Sequence, residues 1–232
     1  MRAKTIVVTG GFGALGGVVA AAALDRGASV AALDVAPSAS ATLADRLGPD
    51  ALILGGVDLS SPEGAEKAMA AVKAKFGRLD ALLNIAGGFL WETVEDGKAE
   101  SWDRMFALNL KTALNACKAA LPYLIESGAG RIVNVGAQSA LRAASGMGAY
   151  AASKSGVHRL TESLADELKL KGVTVNAVLP SVIDTPANRR DMPNANFDRW
   201  VSPGDLAAVM LFLASDEAKS VTGALIPVSG RV

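Results

Sequence analysis

The chain has 232 residues, half of them hydrophobic, and its 23 Lys plus Arg balance 23 Asp plus Glu. That is ample for one large core, and it leaves no charge excess to draw in nucleic acid or an anionic membrane. Apolar runs are broken by charges well before the roughly 18 residues a membrane helix needs, and no charged-apolar-small leader opens the chain, so a soluble, cytoplasmic protein is expected.

A single cysteine, Cys117, rules out an intrachain disulfide. A single histidine, His158, rules out a multi-histidine metal centre and a histidine-based triad, and no metal is expected. Both lie in helical patterns where packing is the simpler reading.

In chain order, residues 5–9 (TIVVT) form a β-branched run read as a strand, and a glycine turn follows at once. The turn comprises Gly10, Gly11, Phe12, Gly13, Ala14, Leu15 and Gly16, with G-x-G-x-x-G at Gly11, Gly13 and Gly16, and it leads into a helix-like VVAAAALDRG. Strand, glycine turn and helix in succession let backbone approach a pyrophosphate at a helix N-terminus; the alternative is a tight turn with no ligand. A second strand, 29–34, ends at Asp34, 18 residues after Gly16. A carboxylate there would accept both adenosine-ribose hydroxyls and repel a 2′-phosphate. NAD(H) is therefore preferred, with NADP(H) possible where a nearby cation compensates, unless Asp34 is an ordinary turn residue.

Residues 38–47 are helical in pattern, and 51–57 form a third strand ending at Asp58. Ser61, Pro62 and Glu63 read as an N-cap, a first-turn proline and an acid matched to the helix dipole, opening a helix to Phe76 that Gly77 closes. The fourth strand, 79–85, runs into Ala86, Gly87 and Gly88. Strands alternating with amphipathic helices imply right-handed crossovers and a parallel sheet with ligand at its C-terminal edge.

From 100 to 127 the pattern is helical, with Asn109 marking either a local break or a satisfied polar contact. A fifth strand, 131–135, delivers the stretch 134–158. In it Tyr150 and Lys154 are four apart, about one turn or ~6 Å along a helix, so the ammonium is expected to lower the phenol pKa. A sixth strand, 173–179, ends at Pro180. Residues 184–202 are polar and proline-punctuated but carry Met192, Phe197 and Trp200, which suits a lid over a planar substrate or a plain surface connection. Residues 203–213 give a last helix and 224–228 a seventh strand. No linker or repeat divides the chain, so residues 1–232 are read as one domain.

Together these residues resemble the short-chain dehydrogenase/reductase family: Thr9-Gly10 to Gly16, Asp58, Asn84-Ile85-Ala86-Gly87, Asn109, Tyr150 with Lys154, and Pro180 to Thr185 occur in order. The resemblance implies a single-domain α/β fold, a Rossmann-type doubly wound parallel sheet of about seven strands with helices on both faces. It also implies that Asp58, with Leu59 beside it, meets the adenine, that Asn84 to Gly87 line the cofactor cleft, and that Pro180, Ile183 and Thr185 border the nicotinamide. Asn109 would hold a water in a proton relay, Lys154 would bind the nicotinamide ribose, and Tyr150 would exchange the proton with a small-molecule substrate. A homodimer or homotetramer built from the helices around 109–127 and 150–171 is implied as well.

Two departures bear on chemistry. Ala14 replaces a glycine common in the family's turn. The family's active-site serine, 13 residues before the tyrosine, is here Ala137. Either Ser139 substitutes, if the chain stays extended and both side chains face one way, or the substrate does not require the hydroxyl. The second option fits a resemblance to the quinonoid dihydropteridine reductase branch, carried by Gly136 to Tyr150 and above all by LP-x-x-x-DTP-x-NR-x-x-MP-x-x-x-F-x-x-W from Leu179 to Trp200. Trp91, Met147, Met192, Phe197 and Trp200 are then candidates to enclose a planar ring. A general carbonyl or 3-oxoacyl reductase using Ser139 and a catalytically silent dinucleotide-binding scaffold are the alternatives.

Overall fold

A computed structural model describes every residue except Arg2. Seven parallel strands lie in the order β3-β2-β1-β4-β5-β6-β7: β1 Thr5–Thr9, β2 Ser29–Leu33, β3 Leu52–Leu54, β4 Ala81–Asn84, β5 Arg131–Val135, β6 Thr174–Pro180 and β7 Leu225–Val228. Side chains alternate across a strand, so a sheet covered on both faces needs apolar residues at odd and even positions alike. Ile6 and Val8 of β1, Leu83 of β4 and Val133 of β5 enter one core, under helices α1 (Ala14–Asp25) and α8 (Pro203–Leu213). Val7, Leu82 and Ile132 enter the other, under α3 (Pro62–Phe76), α5 (Thr112–Glu126) and α6 (Gly148–Leu168). Helix α2 (Ala41–Leu47) packs against α1 outside β2.

Local signals set several boundaries. The Ser61 side chain accepts from the Gly64 N–H, Pro62 opens α3, and Gly77 ends it in the left-handed region at φ 73°. Strand β2 stops at Leu33, one residue short of the expected end, which frees Asp34 to face the sheet's C-terminal edge. Pro180 is the last residue of β6 rather than its terminator. The expected helix of 100–127 is α4 (Ala99–Met105), a π-helical turn over Phe106–Lys111 and α5. Asn109 sits inside that turn, so of the local break or satisfied polar contact expected at this residue the first takes the form of a widened turn without a gap in the helix. Residues 184–202 are more ordered than their composition suggests: Thr185 caps a short helix α7 (Pro186–Asp191), and a 3₁₀ turn covers Phe197–Arg199.

The order of strands reverses between β1 and β4. In an open parallel sheet that reversal opens a crevice at the strands' C-terminal ends, and the glycine turn, Asp34, Ala86 and Gly87 all meet there.

Candidate active site

The crevice is a cavity of about 830 Å³. Gly10, Gly13, Ala14, Leu15 and Gly16 form its floor, Asp34, Asp58 and Leu59 one wall, and Ala86 and Gly87 its back, while Thr185 and α7 close the far side. The floor is a backbone cradle. Gly10 adopts φ +63°, and a Cβ on it would stand 2.9 Å from the Ala86 nitrogen; a Cβ on Gly16 would overlap the Gly10 carbonyl. Gly13 caps α1 without a side-chain hydrogen bond, and the first turn of α1 carries no acid. Its N–H groups and dipole are thus free to meet an anion, which fits a dinucleotide's pyrophosphate.

Gly11 and Phe12, expected among the cofactor contacts, do not line the cavity. The Gly11 N–H donates to the Leu33 carbonyl at 2.9 Å and its α-carbon packs against Ala32, while the Phe12 ring joins the core. Their task is to hold the turn to β2. Asp34 serves the same joint, with Oδ2 accepting from the Phe12 N–H at 2.9 Å and Oδ1 from the Ala36 N–H at 3.0 Å. A carboxylate has about four acceptor positions, so two remain for a ribose. Asp58 accepts from the Ser60 hydroxyl at 2.6 Å and the Ser60 N–H at 2.8 Å, and these bonds hold its carboxyl below the usual range.

Asn84, expected beside the cofactor, does not line the cavity. Its amide donates to Asn134 Oδ1 at 2.9 Å and to Cys117 Sγ at 3.2 Å, and its own oxygen is buried without a partner. What shapes the cleft beside it is Thr9, whose hydroxyl accepts from the N–H groups of Ile85 and Ala86 at 3.0 and 3.1 Å. Burial pushes the Cys117 thiol up to about 12, in keeping with a packed cysteine.

Tyr150 and Lys154 share one face of α6, as their spacing requires, but their electrostatics run opposite to expectation. Burial pushes the Tyr150 phenol up to about 12 and the Lys154 ammonium down to about 8. Nζ of Lys154 donates to the Val135 carbonyl at 2.7 Å, so the cation is anchored to β5 and does not offset the phenol's burial. Phe89 lies over Tyr150, ring centroids 4.9 Å apart at 77°. It is the aromatic neighbour that sequence reading missed, a ring in a loop with no period to flag it.

Asn109 is held by protein groups. Its oxygen accepts from the Gly88 N–H at 2.9 Å, and its amide donates to the Gly88 carbonyl at 3.1 Å and to Ser153 Oγ at 3.0 Å. Ser153, also missed, donates to the Tyr150 carbonyl at 2.7 Å. These bonds make the Asn109 side chain a brace joining the 85–98 loop, the π turn and α6.

Ala137 is buried, and its N–H donates to Nε2 of His158 at 3.3 Å. Burial lowers the His158 pKa, so the ring is neutral and can accept this bond. Ser139 does not meet the condition for replacing the missing hydroxyl. Ala137 is extended, but Gln138–Ala140 is a 3₁₀ turn, so the alternation that would put residues 137 and 139 on one side ends there.

The ring candidates form two groups, neither on the cofactor cavity. Trp91 Nε1 donates to the Ser145 carbonyl at 3.1 Å and its ring covers Gly146, just before Met147, the N-cap of the Tyr150 helix. Phe197 and Trp200 pack together at 4.8 Å, with Arg189 stacked on Phe197 and Met192 at the end of α7. Ile183 bridges to Val201 and, like Pro180, does not line the cavity.

Among the described residues no cluster of three or more His, Cys, Asp or Glu is placed to hold a metal, and no helix is long and apolar enough to cross a membrane. The family model for short chain dehydrogenases matches residues 4–196. The D-threitol dehydrogenase of Mycolicibacterium smegmatis is 33% identical over 98% of this chain and 92% of its own. The 3-oxoacyl-[acyl-carrier-protein] reductase of Vibrio cholerae is 30% identical over 99% of this chain and 97% of its own. Among solved structures, 3-ketoacyl-(acyl-carrier-protein) reductase from Brucella melitensis, complexed with NADH, superposes with a TM-score of 0.89 at 27% identity, covering 99% of this chain and 98% of that one. Motif order, fold and relatives agree that this chain is an oxidoreductase belonging to the short-chain dehydrogenase/reductase family.

Proposed function

We propose that the protein is an NAD(H)-dependent reductase of a planar, conjugated acceptor of the pterin or quinonoid type. The observation that carries this reading is the hydroxyl-free position 137 combined with the 3₁₀ turn that takes Ser139 out of register. A ketone's oxygen gains from a second donor beside the tyrosine as hydride arrives. An electron-poor conjugated ring accepts hydride readily and asks mainly for orientation and a proton. Bound nicotinamide supplies the hydride. Tyr150, its phenol pushed up to about 12, keeps its proton at neutral pH and delivers it to the reduced ring. Phe89 offers a ring edge beside the phenol, Lys154 reaches the nicotinamide ribose, and Asp34 receives the adenosine ribose and disfavours NADPH. Segment 184–202 closes over the acceptor as a lid, and α5 and α6 supply the contacts of a dimer or tetramer.

A second reading, a carbonyl or 3-oxoacyl reductase, is favoured by the names of the relatives at 30–33% identity. Steady-state NADH oxidation with a quinonoid dihydropterin, compared with a panel of ketones, polyols and 3-oxoacyl thioesters, separates the two. Pterin turnover at least tenfold above the best ketone is expected. Turnover confined to the ketones or 3-oxoacyl thioesters would replace the first reading with the second.

A further inference from the structure

Two consecutive arginines on α7 have opposite surroundings. Arg189 is engaged on both sides: its Nε and a terminal nitrogen donate to the two oxygens of Asp184 at 2.6 and 2.7 Å, and its guanidinium lies 4.6 Å from the Phe197 ring centroid. The Arg190 side chain, which is exposed, makes no hydrogen bond or ion pair among the described residues, and the residue lines the cavity whose floor is the glycine turn. The cavity's two carboxylates, Asp34 and Asp58, belong to the wall that follows β2 and β3, whereas α7 follows β6 on the other side of β1. The chamber is thus acidic where ribose hydroxyls would donate and cationic where α7 closes it. Uncapped N–H groups of α1 face the same space.

We propose that Arg190 is the cation that meets the cofactor's pyrophosphate from above the glycine turn, and that this contact pins segment 184–202 in its closed position. The proposal rests on the dinucleotide reading and adds a residue and a consequence to it. Arg189 ties α7 to Asp184 and to Phe197, which packs on Trp200, so α7 and the aromatic pair move as a unit. A charge holding Arg190 down therefore also sets the rings of the substrate side. The cofactor must bind first, and its phosphates rather than its nicotinamide provide the signal. Arg104, on α4, is the other arginine lining the cavity, but it carries no such connection to the segment.

Titrating ADP-ribose and adenosine into the wild type and into Arg190→Met, Arg190→Lys and Arg104→Met, by calorimetry, tests this without turnover. Arg190→Met should weaken ADP-ribose by roughly tenfold, as expected for one charge-assisted contact to a phosphate. It should leave adenosine unchanged and flatten the salt dependence of ADP-ribose binding, and Arg190→Lys should recover part of the loss. Chymotryptic cleavage after Phe197 and Trp200 should slow with ADP-ribose, but not with adenosine, and Arg190→Met should abolish that protection. Equal ADP-ribose affinity in wild type and Arg190→Met, a loss shared by adenosine, or a loss confined to Arg104→Met would each overturn the assignment. Wild type that binds neither ADP-ribose nor NADH would instead sink the dinucleotide reading beneath it.

Discussion

The half of this site proposed for the cofactor and the half proposed for the substrate are built from different material. The cofactor half is backbone at the ends of central strands: the Gly10 to Gly16 cradle, the turn after β4 pinned by Thr9, and the open N-terminus of α1. Its shape is fixed by where a Cβ cannot fit. The substrate half proposed above lies off that cavity and is side chains on connecting segments: Phe89 and Trp91 in one loop, Met147 before α6, Phe197 and Trp200 beyond α7. A half made of backbone tolerates almost no substitution and offers one ligand class. A half made of loop side chains can be changed without disturbing the sheet, which is where members of one family can differ in substrate.

The largest expected effect tests whether the halves are separable. Tyr150→Phe removes the proposed proton donor and nothing from the glycine cradle, so acceptor reduction should fall about 10²- to 10⁴-fold while the NADH dissociation constant stays within about twofold. Stopped-flow reduction alongside fluorescence titration reads both. A parallel loss of NADH affinity would show that the phenol also shapes the cofactor half. Gly16→Ala strikes the other side. Its methyl would overlap the Gly10 carbonyl, and overpacking of that kind costs roughly 1–3 kcal/mol. The urea midpoint should drop and NADH binding should weaken with it, and an unchanged midpoint would mean that the turn can open.

The same division explains what could be read from sequence. Strands β1 and β5 and helices α3 and α8 match their expected ranges because β-branched runs, Ser caps, first-turn prolines and closing glycines act over a few residues. The glycine turn was legible for the same reason. A motif says that a residue is constrained, though, and not by what: Gly11, Phe12 and Asn84 belong to the recognised pattern, and the bonds they make are to the fold. The break at Asn109 could be foreseen from its poor helix propensity, but its partner Gly88 lies 21 residues away and left no local trace. Gln138–Ala140 contains neither glycine nor proline, so nothing in it announced the turn that displaces Ser139. Helical spacing put Tyr150 and Lys154 on one face but could not reveal that Lys154 is buried and Tyr150 half-buried, and desolvation is what shifts their pKa values.

Lys154→Met separates stability from function inside that pair. The folded-state pKa of Lys154, about 8, lies below its ordinary 10.5, so the unfolded chain holds more protons between those values and stability rises with pH across that window. Below pH 8 the full cost of the buried charge is present. Methionine removes that cost but leaves the Val135 carbonyl without its donor, so a net stabilisation of about 1–2 kcal/mol at pH 7 is expected, shrinking as pH approaches 10.5. Acceptor reduction should meanwhile fall sharply. Urea denaturation at pH 7 and pH 10 checks the sign, and a variant less stable than wild type at pH 7 would show that the Val135 bond outweighs the burial.

The smallest expected effect decides which chemistry the substrate half performs. Ser139 is half-buried, follows a turn out of the extended chain and makes no hydrogen bond among the described residues. Ser139→Ala therefore removes nothing that the fold uses, and the melting temperature should not move. If the acceptor is a conjugated ring protonated by Tyr150 alone, kcat/KM should also stay within about twofold, because no transition-state contact is lost. If the protein is a ketone reductase whose turn rearranges on binding to bring Ser139 to the carbonyl, the same substitution should cost on the order of 10²-fold, the loss typical of one donor at a developing oxyanion. A null result on stability joined to a large loss on ketones would place the missing donor at residue 139, and the cleft's two halves would then be coupled through the 3₁₀ turn. A null result on both leaves the hydroxyl-free wall at Ala137 as the surface that selects the substrate.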